Sequence, residues 1–360
     1  MVAGTKAAHV AGPSRRTVLA AMAAVGLAPL LAGCPMSSAP SRTSHPSLSN
    51  PGGHGSAVML RARSAGGELR SAVRELARRA RGTRATVLGL GPGVFDGLGL
   101  AAARPRQLTT MESFPGDVAV PEQNRADVIL QVSGSDAGRA ARALDAMLDG
   151  LDVFEQTWSC SLLREGNELV QGRALNRNVF GFTEGLANPS VTDDADQVAL
   201  VGPDAAEPRW FAGGSYLAAR VLAVSHTLWD AEDAALQELA IGRRADGTWL
   251  DGTRASDEPD FARDPHGEVT PLDSHVRLAN PRDGSPAPAL LRRSWTYAEQ
   301  PGAGRGDGLL FMGFQADLDA GFRRAQQRLG ADRLARYALP TGGGYFAVPP
   351  PTEWEAALLG

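Results

Sequence analysis

The sequence predicts an α+β fold: two ferredoxin-like halves, each an antiparallel sheet with peripheral helices. Three observations point there. The chain has 360 residues, and at roughly 150 residues per domain it suggests two domains or one duplicated one. Its composition, 43% hydrophobic and 21% charged, excludes a disordered, collagenous or polytopic membrane chain. Short β-type runs followed by helix-period segments occur in both the first and the second half of the body.

The inventory of reactive residues is short. A formal net charge of −4 leaves no global basic field for a nucleic-acid backbone. Lys6 is the only lysine, so a Schiff-base lysine in the body is excluded. Cys34 and Cys160 can build neither a disulfide framework nor a four-thiolate metal site. His9, His45 and His54 lie in the N-terminal tail, which leaves His226, His266 and His275 to the body.

Residues 1–34 read as an export signal. Ser14-Arg15-Arg16-Thr17-Val18-Leu19 sets a twin arginine before an uncharged run ending near Gly33, shorter than the roughly 20 residues of a spanning helix. Leu31-Ala32-Gly33-Cys34 has the form of a lipobox, which makes Cys34 a candidate lipid anchor; a plain small-residue cleavage site is the alternative. Residues 35–56 are rich in Pro, Ser and Gly and read as a flexible tether. The location expected is periplasmic or otherwise extracytoplasmic.

The body then divides into an N-terminal half, 57–200, and a C-terminal half, 201–360, with the boundary in the Pro- and Asp-rich stretch 188–208. Runs beginning at Arg84 and Ala126 read as strands, and Asp136 to Leu151 as a helix. In the second half Gly214 to Val224 and Gly308 to Gln315 read as strands. Asp233 to Gly242 and Asp317 to Leu329 read as helices. The polar stretches 251–273 and 280–289 are long enough to suggest functional or disordered loops.

Three segments carry chemistry. Gly181-Phe-Thr-Glu184-Gly185-Leu-Ala-Asn188-Pro189 places an acid between glycines in a turn, where backbone and ligand can approach closely. Ser274-His275-Val-Arg277-Leu-Ala-Asn-Pro-Arg282 joins an imidazole to two guanidiniums. Leu290-Leu-Arg292-Arg293-Ser294 ends an apolar run in paired arginines. Together they supply one acid, one imidazole and several guanidiniums, a set suited to a dianionic cofactor with a single axial histidine. Singly, each also has an ordinary reading as turn, solvated histidine or surface charge.

The order and wording of these segments, with Gly213-Gly-Ser-Tyr, Ile241-Gly-Arg-Arg, Gly308-Leu-Leu-Phe and Gly342-Gly-Gly-Tyr-Phe, resemble the dye-decolorizing (DyP-type) haem peroxidases. The likeness is greatest to their exported deferrochelatase/peroxidase subgroup. The resemblance implies one haem b per chain and reduction of hydrogen peroxide through a ferryl intermediate, with dyes, phenols or other small donors oxidised. It places the axial iron ligand on His275 and the distal arginine on Arg292, with Arg293 as the alternative. The distal acid falls on Glu184, where the family pattern has aspartate. Leu310 and Phe311 resemble apolar residues over the distal face, Asp317 an acid orienting the histidine, and Arg277 a propionate partner. The subgroup adds a second reading: a lipoprotein handling haem or ferrous iron beside an uptake permease, with weak peroxidase activity. A homo-oligomer is compatible with either. Trp229, Trp295, Tyr297 and Tyr345 are candidates for relaying electrons, although most tryptophans are simply core. Cys160 beside Trp158 reads as a small buried apolar residue.

Overall fold

The computed structural model describes Met1 and residues 45–360, apart from 84–85, 191–194, 301–304 and 353. The twin arginine, the apolar run and Cys34 lie outside these residues. In the body the strands are β1 (His54–Ala62), β2 (Thr86–Leu90), β3 (Val128–Gly134), β4 (Phe154–Leu163), β5 (Glu165–Val170) and β6 (Arg173–Arg177). They continue with β7 (Thr183–Glu184), β8 (Ser215–Val224), β9 (Leu291–Arg292), β10 (Trp295–Ala298), β11 (Gly308–Gln315) and β12 (Ala338–Val348).

Nine strands form one antiparallel sheet in the order β10-β4-β1-β3-β2-β12-β8-β11-β9. Because β10 also pairs with β11, through Trp295 opposite Leu310, eight of the strands close into a barrel. Each half has the same internal order, β4-β1-β3-β2 and β12-β8-β11-β10. That repeated pattern is the duplicated ferredoxin-like fold. The junctions are slender: Ala347 opposite Leu90 joins β12 to β2, and three residue pairs join β10 to β4.

Strand parity separates two environments. Met59, Trp158, Leu217, Leu310, Phe314 and Phe346 pack together inside the barrel. Val58 and Leu60 face outward against the helix Gly66–Gly82, which buries Leu69, Val73 and Leu76, three or four residues apart as a helical stripe requires. The helix Ala137–Leu148 starts where Asp136 Oδ1 accepts the Arg139 N–H at 2.8 Å, an N-cap that satisfies one of its free donors. With both faces covered, β1 is buried from Gly55 to Leu60, so its sequence shows no alternation. Cys160 is 4% exposed inside the barrel, and burial pushes its thiol pKa up.

Two boundaries differ from expectation. The tether does not extend to residue 56: β1 begins at His54, and residues 46–48 form a helical turn. The Glu184 segment sits in a separate three-stranded sheet, β5-β6-β7, outside the N-terminal ferredoxin-like unit to which 57–200 assigned it. Arg164, between the two sheets, donates from Nε to Asn167 Oδ1 at 3.1 Å, and its guanidinium lies 5.6 Å from the Trp295 ring centroid.

His45 shows how firmly the segment before β1 belongs to the body. It is 2% exposed, and burial lowers its pKa from 6.5 to about 4, against the raising effect of the Pro349 and Val348 backbone. The unfolded chain therefore takes up this proton at higher pH than the folded one. Stability present above pH 6.5 is lost as pH falls through 4, on the order of 3 kcal/mol by the lower value. Thermal melts across that window should show His45→Gln losing less stability on acidification than the native chain. Parallel profiles would sink the assignment.

Candidate active site

His275 opens the helix His275–Ala279 and is partly exposed. Its Nδ1 donates to Asp332 Oδ2 at 2.7 Å, a carboxylate with 8% side-chain exposure. The other oxygen, Asp332 Oδ1, accepts the Leu334 N–H at 2.9 Å and so caps the next helical turn. Arg333 ties the same two segments together through Asp273 at 2.6 Å. With Nδ1 committed, Nε2 is the nitrogen left to donate an electron pair to a metal.

Glu184 is held by a different set of constraints. The Asn178 side chain accepts the N–H groups of Phe180 and Phe182 at 3.1 and 3.0 Å, forming the turn into β7. Glu184 pairs with Asn176 of β6. Gly185 has φ +97°, and a Cβ there would lie 2.4 Å from the Ala174 carbonyl oxygen, so only glycine fits. One carboxylate oxygen, Oε2, is buried with no hydrogen bond among the described residues.

Asn188 connects this turn to the paired arginines. It accepts the Arg292 N–H at 2.9 Å and donates to the Arg292 carbonyl at 2.8 Å, so one amide side chain replaces a strand neighbour. Its own N–H donates to Gly185 O at 3.0 Å, and Arg173 Nε donates to its carbonyl at 2.7 Å. Glu184 and Arg292, from distant parts of the chain, are thereby fixed in relation to each other.

Parity of β9 and β11 decides which side chains share this face. Arg292 pairs with Gly313, so it projects outward on the side of Phe311 and Leu309. Its guanidinium makes no hydrogen bond among the described residues. Burial lowers its pKa, and the Glu184 carboxylate opposes that shift. Arg243 is lowered to about 10 by burial and then by Arg292, again opposed by Glu184. Arg243 Nη2 donates to Thr183 O at 2.9 Å, while its Nε is buried without a partner. Several desolvated guanidiniums around one carboxylate make a site that attracts negative charge.

An apolar cluster links the segments. Phe180 and Phe182 of the glutamate turn pack with Trp229, Ile241, Leu334 and Tyr337, and Val276 and Leu309 lie against them. A cavity of about 660 Å³ opens beside the turn, bordered by Leu186, Asn188, Arg243, Arg282 and Leu290.

Three expected assignments are corrected. Asp317 does not orient His275; it is exposed, and its Oδ1 accepts the Ala320 N–H at 2.9 Å, while Asp332 holds the imidazole. Arg277 is no propionate partner, because Asp264 Oδ2 at 3.0 Å, Thr270 O at 2.6 Å and Asp264 O at 2.6 Å already occupy it. Leu310 does not line the outer face. It points into the barrel with 0% exposure, and its neighbour Leu309 is the outward residue. Asp332 carries no local sequence signal of its role, and Asn188 stands in the glutamate segment without a role of its own legible there. The Ile241-Gly-Arg-Arg match was the one signal for Arg243.

Residues 61–154 match the N-terminal domain of the Dyp-type peroxidases, and residues 175–353 match the C-terminal domain. The chain belongs to the DyP-type peroxidase family. The C-terminal match includes Glu184, in agreement with the placement of its turn outside the first ferredoxin-like unit. A DyP-type peroxidase from Cellulomonas bogoriensis has a similar structure, with TM-score 0.71 and 30% identity, covering 86% of this chain and 94% of its own. For one from Streptomyces coelicolor the TM-score is 0.76 at 27% identity, with 89% and 97% covered. The deferrochelatase of Escherichia coli (strain UTI89 / UPEC) is 35% identical over 282 residues, 76% of this chain and 67% of that protein.

This DyP-type peroxidase is therefore a haem-dependent oxidoreductase with peroxide as acceptor. Its residues suit the cofactor: an imidazole anchored through one nitrogen and, among the described residues, a guanidinium and a carboxylate oxygen that make no hydrogen bond. Arg243 and Arg293 each keep a buried Nε with no hydrogen bond among the described residues.

Proposed function

We propose that the chain binds one haem b through His275 and reduces hydrogen peroxide with Arg292 and Glu184, oxidising dyes, phenols or similar one-electron donors. The observation that carries this reading is the Asn188 clasp, which sets an acid and a free guanidinium side by side. Haem supplies the iron that binds peroxide and takes up its oxidising equivalents. Glu184 accepts a proton from one peroxide oxygen and returns it to the other, so that water departs. Arg292 stabilises the negative charge that grows as the O–O bond breaks. Asp332 keeps the Nδ1 proton on His275 and makes the imidazole a stronger donor. The test is an absorbance spectrum of haem-loaded protein, then stopped-flow mixing with peroxide. No spectral change on mixing and no dye turnover would overturn the reading.

Glutamate at 184 favours a specific outcome. The backbone is fixed by the Asn176 pairing and by Gly185, so aspartate would draw the carboxyl back by one methylene. Misplacement by about an ångström costs about a hundredfold. Glu184→Asp should therefore slow the peroxide reaction by about tenfold or more. A gain in turnover would instead favour the second reading, a deferrochelatase-like haem- or iron-handling role, which the departure at 184 and the 35% identical relative motivate. Export by the twin arginine at 15–16 and anchoring at Cys34 are part of the proposal, and fractionation of cells producing the full chain decides them.

A further inference from the structure

On the outer face of β8 and β12, where Arg220 pairs with Phe311, lies a cavity of about 500 Å³ that contains none of Glu184, His275 or Arg292. Arg220 of β8 borders it and is 3% exposed. One of its terminal nitrogens, Nη2, is ion-paired with Asp117, and the guanidinium lies 5.3 Å from the Phe114 ring centroid. The other, Nη1, is buried with no hydrogen bond among the described residues. Tyr345 of β12, 1% exposed, also lines the cavity, with its hydroxyl beside Glu112 and Arg323.

A buried donor left unsatisfied is costly, and one attached to a guanidinium more so. The acids around the cavity do not meet the need. Asp117 is already on Nη2, Glu112 pairs with Arg323 at 3.1 Å, and Asp96 with Arg104 at 3.1 Å. Asp127 Oδ2 accepts the Ala62 N–H at 2.8 Å. Arg125 on the rim has no ion pair among the described residues. The unmet capacity is thus for donation to an anion. Four carboxylates in the walls disfavour a doubly charged phosphate, whereas a single carboxylate needs only one guanidinium edge.

We propose that this cavity binds a small organic monocarboxylate, seated on Arg220 Nη1 beside Tyr345. Its volume falls within the range of roughly 300–1,000 Å³ that holds small ligands, which admits a molecule of one ring. The proposal stands on these residues alone and is independent of the haem reading.

The probe is sodium benzoate, titrated calorimetrically into haem-loaded full-length protein, with neutral benzamide as control. Saturable one-to-one binding of benzoate, at least tenfold tighter than benzamide, is expected. Thr110→Trp fills the cavity from its exposed rim and should weaken binding at least tenfold while leaving the Soret band and the peroxide reaction unchanged. Arg220→Gln should do the same where it folds. Benzoate on the haem side is distinguished by Arg292→Leu, which should leave the heat of binding intact. A crystal soaked in benzoate should place its carboxylate on Arg220. Absence of saturable binding, binding undiminished by Thr110→Trp, or binding lost with Arg292→Leu would each overturn the assignment.

Discussion

Arg292→Leu is expected to slow the reaction with peroxide by about 10²–10³-fold, the cost of removing one preorganised donor from a developing oxyanion. The substitution isolates the side chain. The Asn188 clasp grips only the backbone N–H and carbonyl of residue 292, so the strand and the glutamate turn stay in place. Haem content should remain near one per chain, because His275 and its carboxylate partner belong to other segments. Stopped-flow traces followed at the Soret band give the rate directly. A variant within threefold of the native rate would remove Arg292 from the mechanism and direct attention to Arg293, which is 4% exposed and also has a buried, unbonded Nε.

The second large effect is expected from Asp332→Asn. Asparagine can still accept the Leu334 N–H and preserve the cap, so the local turn should survive. What changes is the partner of His275: with the amide oxygen on Leu334, the amide NH2 faces Nδ1, so the Nδ1–H loses its anionic acceptor and the imidazole becomes a weaker donor. Loss of such a partner typically costs about 10–100-fold in metal affinity or activity. Haem titration of the apo-protein should show weaker binding, and the haem reduction potential should rise. An unchanged potential would mean that Asp332 holds the turn and nothing more. Asp317→Asn, by the same measurements, should have no effect.

The contrast between those two aspartates shows what the sequence could carry. His275, Glu184 and Arg292 each stand in a local motif whose neighbours have evident jobs, such as the glycine at 185 that alone fits beneath the Ala174 carbonyl. Asp332 lies 57 residues beyond the histidine in an ordinary Ala-Asp-Arg-Leu context, and only the folded chain brings the two together. Nor could composition distinguish Leu309 from Leu310. A barrel strand covered on both faces is apolar throughout, and parity emerges from pairing with β8 and β10. The ferredoxin-like halves were legible because helix periodicity and capping signals such as Asp136 and Asp233 are local. β1 was not, since it follows a Pro- and Ser-rich tail and shows no alternation.

The seam between β2 and β12, a single residue pair at Leu90 and Ala347, has a consequence for how the molecule yields under stress. Zippers fail at their last tooth, and here that tooth lies between the two duplicated modules. Local opening should begin along this line and propagate by separating module from module. His275, Asp332 and Arg292 lie on one side of this divide, and Glu184 lies in the separate sheet β5-β6-β7. The second module carries His275, Asp332 and Arg292, and the small sheet that carries Glu184 is tied to it by the Asn188 clasp, so separation of the modules need not part these residues.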